Sequence, residues 1–247
     1  MAYNEFAYFY DEFNGEADYD ALYSHIHSQL EAHGIRDGIL ADLGCGTGEL
    51  TLMLTQAGYD MIGIDQSEEM LCMVRDKAEQ LGLSGRLLLL RQDLLKLDLY
   101  GTIRGAVSTF DTFNHIPDLD TAIANAGFFM EKGGVFLFDV NTPEKLMAMD
   151  GQVFLDEDDD VYCVWRGEFD EESNICSYGM DLFQRRGETW IRSFEEHREY
   201  AYSQEQLTAY LKAAGFTHIA VYADRRFEAP GAGEQRVYFK ARKGKIK

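Results

Sequence analysis

The residues with the clearest chemical bearing lie in Ile39-Leu40-Ala41-Asp42-Leu43-Gly44-Cys45-Gly46-Thr47-Gly48-Glu49-Leu50, an apolar run that enters three alternating glycines and leaves as a helix-forming stretch. Alternate glycines let a backbone turn sharply and approach a ligand closely, and the helix N-terminus beyond them offers unpaired amides to a negative group. The spacing is G-x-G-x-G, which differs from the G-x-G-x-x-G of dinucleotide folds, and no G-K-[ST] follows as in a phosphate-binding loop. That spacing disfavours a nicotinamide-dependent oxidoreductase. A second apolar run ends in Gly63-Ile64-Asp65-Gln66, which puts a carboxylate 21 positions after Gly44. An α/β nucleotide site sets an acid about 20 residues on, where it accepts the ribose hydroxyl protons. The alternative for Asp65 is a helix-capping acid before Ser67.

A third group is Phe110-Asp111-Thr112-Phe113-Asn114-His115-Ile116-Pro117. His115 is a candidate general base, since a neutral imidazole can take a proton from an acceptor that must be uncharged to attack, and it is also placed as a loop-packing residue. Asp111 and Asn114 are candidates for binding the acceptor. Tyr3, Phe6, Tyr8, Phe9, Tyr10, Phe13 and Tyr19 make the N-terminus dense in aromatics. Such rings either form a lid that attracts a cation and keeps water out or clasp the core as packing. The four cysteines, Cys45, Cys72, Cys163 and Cys176, form no C-x-x-C and no metal-like pairing, so they read as reduced and mostly buried, and no metal site is expected.

These groups need strands and helices to hold them. Between residues 35 and 140, short apolar runs alternate with amphipathic segments, the rhythm of βα units on a mainly parallel sheet. Strands are expected at Gly38 to Leu43, Asp60 to Asp65, Arg86 to Gln92, Gly105 to Phe110 and Val135 to Val140. Helices are expected at Glu49 to Ala57, Glu68 to Leu81 after a Ser67 cap, and Leu119 to Glu131 ending at Gly133-Gly134. After Pro143 the pattern changes to strand-like alternation over Val161 to Phe169, Ile175 to Arg185 and Thr189 to Tyr200, an antiparallel meander. Asp156 to Asp160 reads as a solvated acidic loop. Ser203-Gln204-Glu205-Gln206 then reads as a capping box before a last helix, and Phe216 to Ala223 and Arg236 to Ala241 as two last strands. The expected fold is a doubly wound, Rossmann-like α/β core with a mainly parallel seven-stranded sheet, residues 1–144 and 201–247, and an inserted antiparallel β lobe, residues 145–200.

Lys and Arg number 23 against 43 Asp and Glu, a formal charge of −20. That sign argues against nucleic-acid phosphates and anionic lipid as partners. No apolar run is long enough to span a bilayer, and acids stand at the N-terminus where a signal peptide carries bases, so a cytoplasmic protein is expected. Residues 151–200 hold 14 acids and five bases, a charge of −9. A lobe so charged either draws a cationic acceptor to the site mouth or forms the outer face of a homodimer sheet. Trp165, Phe183, Trp190 and Phe194 are candidates for lobe core or acceptor wall.

The segments LADLGCGTGELT, IGIDQSEEML, LLRQDLLKLDL, GAVSTFDTFNHI and GGVFLFDVN, in that order over residues 38–141, resemble the five landmarks of the class I S-adenosylmethionine-dependent methyltransferases. The β insertion and aromatic N-terminus are similar to a subgroup of small-molecule N-methyltransferases. The resemblance implies S-adenosyl-L-methionine as cofactor, S-adenosyl-L-homocysteine as product and a small-molecule acceptor, most simply an amine. It implies that backbone at Gly44, Cys45 and Gly46 packs on the methionine part and ribose, that Asp42 receives the α-amino group, and that Asp65 holds the ribose. Gln66 and Met70 would lie along the adenine, although Met70 also fits a core helix position. Asp93 and the Leu94 amide would read the adenine edge, and Thr109 and Phe110 would floor the sulfonium. His115 is similar in position to a histidine that faces substrate in sugar N-methyltransferases, and Tyr10 and Tyr19 match family positions near substrate or cofactor. Protein or RNA methylation, and a non-catalytic sensor of the cofactor, are the rival readings.

Overall fold

The computed structural model describes residues 18–223 and 227–244. Its first element, α1 (Tyr19–Ala32), was not expected from the sequence rhythm. Asp18 caps it by accepting the Ala21 amide at 2.9 Å, and Leu22, Ile26 and Leu30, at helical spacing, are buried. The core continues through β1 (Ile39–Leu43), α2 (Glu49–Gln56), β2 (Asp60–Asp65), α3 (Glu68–Leu81), β3 (Leu87–Arg91), β4 (Ile103–Ser108), α4 (Leu119–Phe129) and β5 (Met130–Asn141). After a short α5 (Pro143–Ala148) come β6 (Val153–Glu157), β7 (Val161–Asp170), β8 (Ile175–Arg186) and β9 (Thr189–Tyr200), and then α6 (Gln204–Ala213), β10 (Phe216–Ala223) and β11 (Arg236–Lys243).

The large sheet has the order β10-β11-β5-β4-β1-β2-β3. Strands β1 to β5 pair in parallel, and β11 runs antiparallel between β5 and β10. The chain winds outward from β1 to β2 and β3 on one side and to β4 and β5 on the other. Open α/β sheets bind ligands beyond the C-terminal strand ends at such a reversal. Period-two alternation sends β5 side chains to two cores. Phe136 and Phe138 meet Phe113, Phe239 and Leu207 on one face, while Val135 and Leu137 meet Leu22, Ile26 and Leu54 on the other. The Ser203 capping box is present, with both reciprocal hydrogen bonds formed.

β6 to β9 form a separate four-stranded antiparallel sheet. Two expectations are corrected here. Asp156 and Glu157 do not lie in a loop: they pair with Cys163 and Tyr162 as the end of β6. Gly133 and Gly134 do not terminate a helix, because α4 stops at Phe129 and β5 begins at Met130, paired with Ile103; sheet pairing overrides the weak strand preference of glycine. β4 also ends at Ser108, which leaves Thr109 and Phe110 in the loop beyond it.

Candidate active site

Between the C-terminal strand ends of the large sheet and the inner face of the small one lies a cleft of about 1040 Å³. Ligand sites span roughly 300–1,000 Å³, so this one lies at the upper end of that range. One end is built by the glycine loop and the tips of β2 and β3: Gly44, Gly46, Asp65, Gln66, Met70, Arg91 and Leu94 line it. The other end is built by the β4 loop, the β5 tip and the lobe, with Asp111, His115, Asn141, Lys145, Trp165, Tyr178, Glu199 and Arg236.

At the first end, Gly44 has φ +79°, and a Cβ there would sit 2.2 Å from Thr112 Cγ2, so the turn after β1 excludes any other residue. Gly46, with φ +53°, would point a Cβ into open space, so its bare backbone leaves the cradle empty. The Gly44 and Cys45 amides both donate to the Ile64 carbonyl, which ties the loop to β2. Asp65 accepts the Gly46 amide on one carboxylate oxygen and the Ser67 amide on the other, each at 2.9 Å. Ser67, not Asp65, caps α3, by accepting the Met70 amide. Burial raises the Asp65 pKa and those amides pull it back.

Asp42 lies one layer behind this wall, 2% exposed. Its Oδ2 accepts the Thr51 hydroxyl, and its Oδ1 is buried with no partner among the described residues. Burial, with the nearby charge of Asp65, pushes its pKa up to about 7 against the pull of Thr51. A buried carboxylate with one oxygen unsatisfied is costly unless a cation completes it.

The other predicted residues divide by position. Cys45 does not line the cleft; its sulfur packs toward Gly63, and burial raises its thiol pKa well above the usual range, which removes nucleophilic chemistry. Asp93 accepts the Leu95 amide as the cap of a short 3₁₀ turn, while Leu94 reaches the cleft. Thr109 is buried behind the loop, Phe110 lines the cleft, and Tyr19 packs on the Phe110 ring at 5.1 Å without lining it. Met70 is 3% exposed and lines the cleft. Asn114 is fully buried and holds elements together: its amide nitrogen donates to the Asn141 and Tyr200 carbonyls, and its oxygen accepts the Asn141 amide. Tyr10 and the aromatics from Tyr3 to Phe13 lie outside the described residues.

The second end is organised by strain and charge. Phe110 and Asp111 adopt φ +55° and +53°, which costs a non-glycine residue about 1–3 kcal/mol each. Asp139, on β5, holds them there by accepting both amides, at 3.0 and 2.9 Å. Arg236 from β11 bridges the two acids, with Nη1 on Asp139 and Nη2 on Asp111 Oδ1 at 2.6 Å. Although burial opposes ionisation, Arg236 and His115 hold the Asp111 carboxyl well below the usual range. His115 Nδ1 meets the Arg198 carbonyl at 2.9 Å, which requires the proton on Nδ1, and Nε2 faces Asp111 Oδ2 at 3.6 Å. Burial alone would lower the His115 pKa; the hydrogen bond and charge of Asp111, with the charge of Glu199, outweigh it and raise it. Arg236, Asp139, Lys145 and Glu199 were missed in the sequence, where isolated charged residues on strands carry no motif.

The lobe register separates its aromatics. Trp165, paired with Met180, is on the inner face and lines the cleft; Phe183 and Phe194 fall on the alternate face, and Trp190 and Phe194 are about half exposed.

Residues 40–134 match a family described as "Methyltransferase domain". Over 250 aligned residues the chain is 30% identical to YqeM of Bacillus subtilis (strain 168), which is named as a methyltransferase, covering 99% of this chain and 98% of that one. A crystal structure of an S-adenosylmethionine-dependent methyltransferase from Clostridium acetobutylicum ATCC 824 superposes with a TM-score of 0.88 at 28% identity, over 99% of this chain and all of that one. The sugar N-methyltransferase KedS8 from Streptoalloteichus sp. ATCC 53650 shares the fold, with a TM-score of 0.79 at 17% identity, over 96% of this chain and 93% of that one. With its seven-stranded sheet, its glycine loop and its second small sheet, this chain belongs to the class I S-adenosylmethionine-dependent methyltransferases.

Proposed function

We propose that the enzyme methylates an amine on a small molecule, and that residues 145–200 act as the lobe forming the acceptor wall. The observation that carries this reading is the position of His115, with a carboxylate at Nε2, at the end of the cleft away from the glycine loop. The cofactor supplies an electrophilic methyl group on a sulfonium. The residues at the first end fit it: the empty cradle at Gly46, the Asp65 carboxylate with lone pairs left for ribose hydroxyls, and the orphaned Asp42 Oδ1 ready for an ammonium. Gln66, Met70 and Leu94 would flank the adenine.

The chain's own contribution to chemistry is alignment, exclusion of water and handling of one proton. An amine arrives as its ammonium. One N–H bond breaks, the proton passes to His115 Nε2, and the electron pair stays on nitrogen, which can then attack. Asp111 stabilises the imidazolium, and the Arg198 carbonyl fixes the ring. The charge of the lobe, and fold neighbours whose names place them on amino sugars, such as the amino pentose methyltransferase CalS10, favour an amine over a nucleic acid.

The test is transfer of labelled methyl from S-adenosylmethionine to a panel of small amines, with matched alcohols and carboxylates as controls. His115→Ala is expected to lower kcat by roughly 10²-fold or more while S-adenosylhomocysteine affinity stays unchanged. Unchanged kcat would remove the base, and transfer only to alcohols would remove the amine.

A further inference from the structure

Glu199 sits on β9, more than 80 residues from the His115 loop in sequence, yet Asp111, His115 and Glu199 each present an atom within 4.8 Å of the others. Its side chain is 6% exposed and lines the cleft. Oε2 accepts the Asn141 amide at 2.7 Å, and Asn141 Oδ1 accepts Lys145 Nζ at 2.8 Å, which fixes the orientation of the carboxylate. Oε1 takes no hydrogen bond from any described residue. Charge at this end is unevenly met. Arg236 binds Asp111 and Asp139 directly, whereas Lys145 reaches Glu199 only through a neutral amide. Asp111, Asp139 and Glu199 therefore face Arg236, Lys145 and the imidazole of His115, and among the described residues Glu199 is the one of the three acids with no ion pair within 4.0 Å. A charge held this deep is stabilised by a cation with a hydrogen to donate.

The surroundings define what carries that cation. On the inner face of the lobe the cross-strand rows step from Cys176–Glu199 to Tyr178–His197 to Met180–Glu195, with Trp165 beside Met180. Rows two residues apart are about 7 Å apart, so an aromatic and thioether wall runs within about 14 Å of the carboxylate. Such a wall accepts a compact ring or short apolar body.

Building on the amine reading above, we propose that Glu199 is the residue that selects the acceptor: it docks the ammonium of a primary or secondary amine on Oε1, with the ring or apolar body of the amine against Tyr178, one row away on the same face. Lys145 and Asn141 are positioning residues for that carboxylate. Metal coordination is the weaker use of the same three side chains, because Asp111 is already bound to a guanidinium.

The test is titration calorimetry on protein saturated with S-adenosylhomocysteine, using benzylammonium and cyclohexylammonium, with benzyl alcohol and cyclohexanol as uncharged matches. The wild type is expected to bind the ammonium ions at least tenfold more tightly than the alcohols. Glu199→Gln, which keeps an oxygen for Asn141, is expected to erase that preference with S-adenosylhomocysteine affinity unchanged, and Glu199→Asp to retain part of it. No preference in the wild type, or an undiminished one in Glu199→Gln, overturns the assignment. A wild type that prefers ammonium but methylates no amine supports Glu199 and rejects the amine-methylation reading. An amine that is methylated with the same KM by Glu199→Gln rejects Glu199 and leaves that reading intact.

Discussion

Asp42 concentrates two demands in one side chain. In the cofactor-free protein its unsatisfied Oδ1 and full burial favour the protonated form, with the pKa pushed up to about 7. The unfolded chain releases that proton in the ordinary carboxylate range. Between that range and pH 7 the folded state thus binds more protons, and the contribution of Asp42 makes stability fall as pH rises, levelling off above about 7. On the proposed reading the cofactor's ammonium would reverse the preference, because it pairs only with the carboxylate. The affinity for S-adenosylhomocysteine is expected to weaken by up to about tenfold per pH unit below 7, with proton release on binding in that window. Asp42→Asn is expected to flatten the profile and reduce affinity roughly 10- to 100-fold, the value of a charge-assisted hydrogen bond. Calorimetry in buffers of different ionisation enthalpy reads both; an unchanged pH profile in Asp42→Asn would assign the linkage elsewhere. Asp65 stands out in the sequence because it follows the glycine pattern at the interval of an α/β nucleotide site, whereas Asp42 stands out only through the family resemblance. Asn114 was misjudged as a contact for acceptor, since its amide looks the same whether it faces a ligand or bridges three backbone groups.

The elements were legible where periodicity was uninterrupted: β2, α3, β9 and β10 have the expected bounds, each being a clean apolar pattern between turn residues or caps. Less legible was the way β4, β5 and β11 cooperate at their ends. The left-handed Phe110 and Asp111 persist because Asp139 satisfies both amides while Arg236 neutralises it, and the partners are 28, 29 and 97 residues apart. Asp139→Ala would release the loop and leave Arg236 half-compensated. Breaking a buried ion pair from one side costs about 3–5 kcal/mol, and that loss is expected in urea denaturation. The cost at this position also has a functional signature, since Phe110 lines the cleft: S-adenosylhomocysteine affinity is expected to fall with stability. Arg236→Lys would keep charge but lose the two-acid bridge, and is expected to fall between wild type and Asp139→Ala on both measures. If Asp139→Ala melts with the wild type, the bent loop is held by something other than this clamp.

At the scale of the molecule, the charge of −20 is a statement about encounter. S-adenosylmethionine carries a net positive charge at neutral pH, whereas S-adenosylhomocysteine, having lost the sulfonium, carries none. A negative field around the cleft mouth, where the exposed Asp156 and Glu196 line the lobe side, attracts the first and is indifferent to the second. The field reaches about 30 Å at 0.01 M salt and about 3 Å at 1 M. The association rate of S-adenosylmethionine is therefore expected to fall several-fold across that range, while that of S-adenosylhomocysteine holds nearly constant. Trp165 lines the cleft, so stopped-flow tryptophan fluorescence can follow both. The difference between the ligands is the informative quantity, because a general effect of salt on the fold would move both rates together. Equal slopes would mean that Arg91 and Arg198 cancel the acids at the mouth, and the acid excess of the lobe would then serve no role in steering. A slope confined to S-adenosylmethionine would show that this field gathers the charged methyl donor and releases its uncharged product.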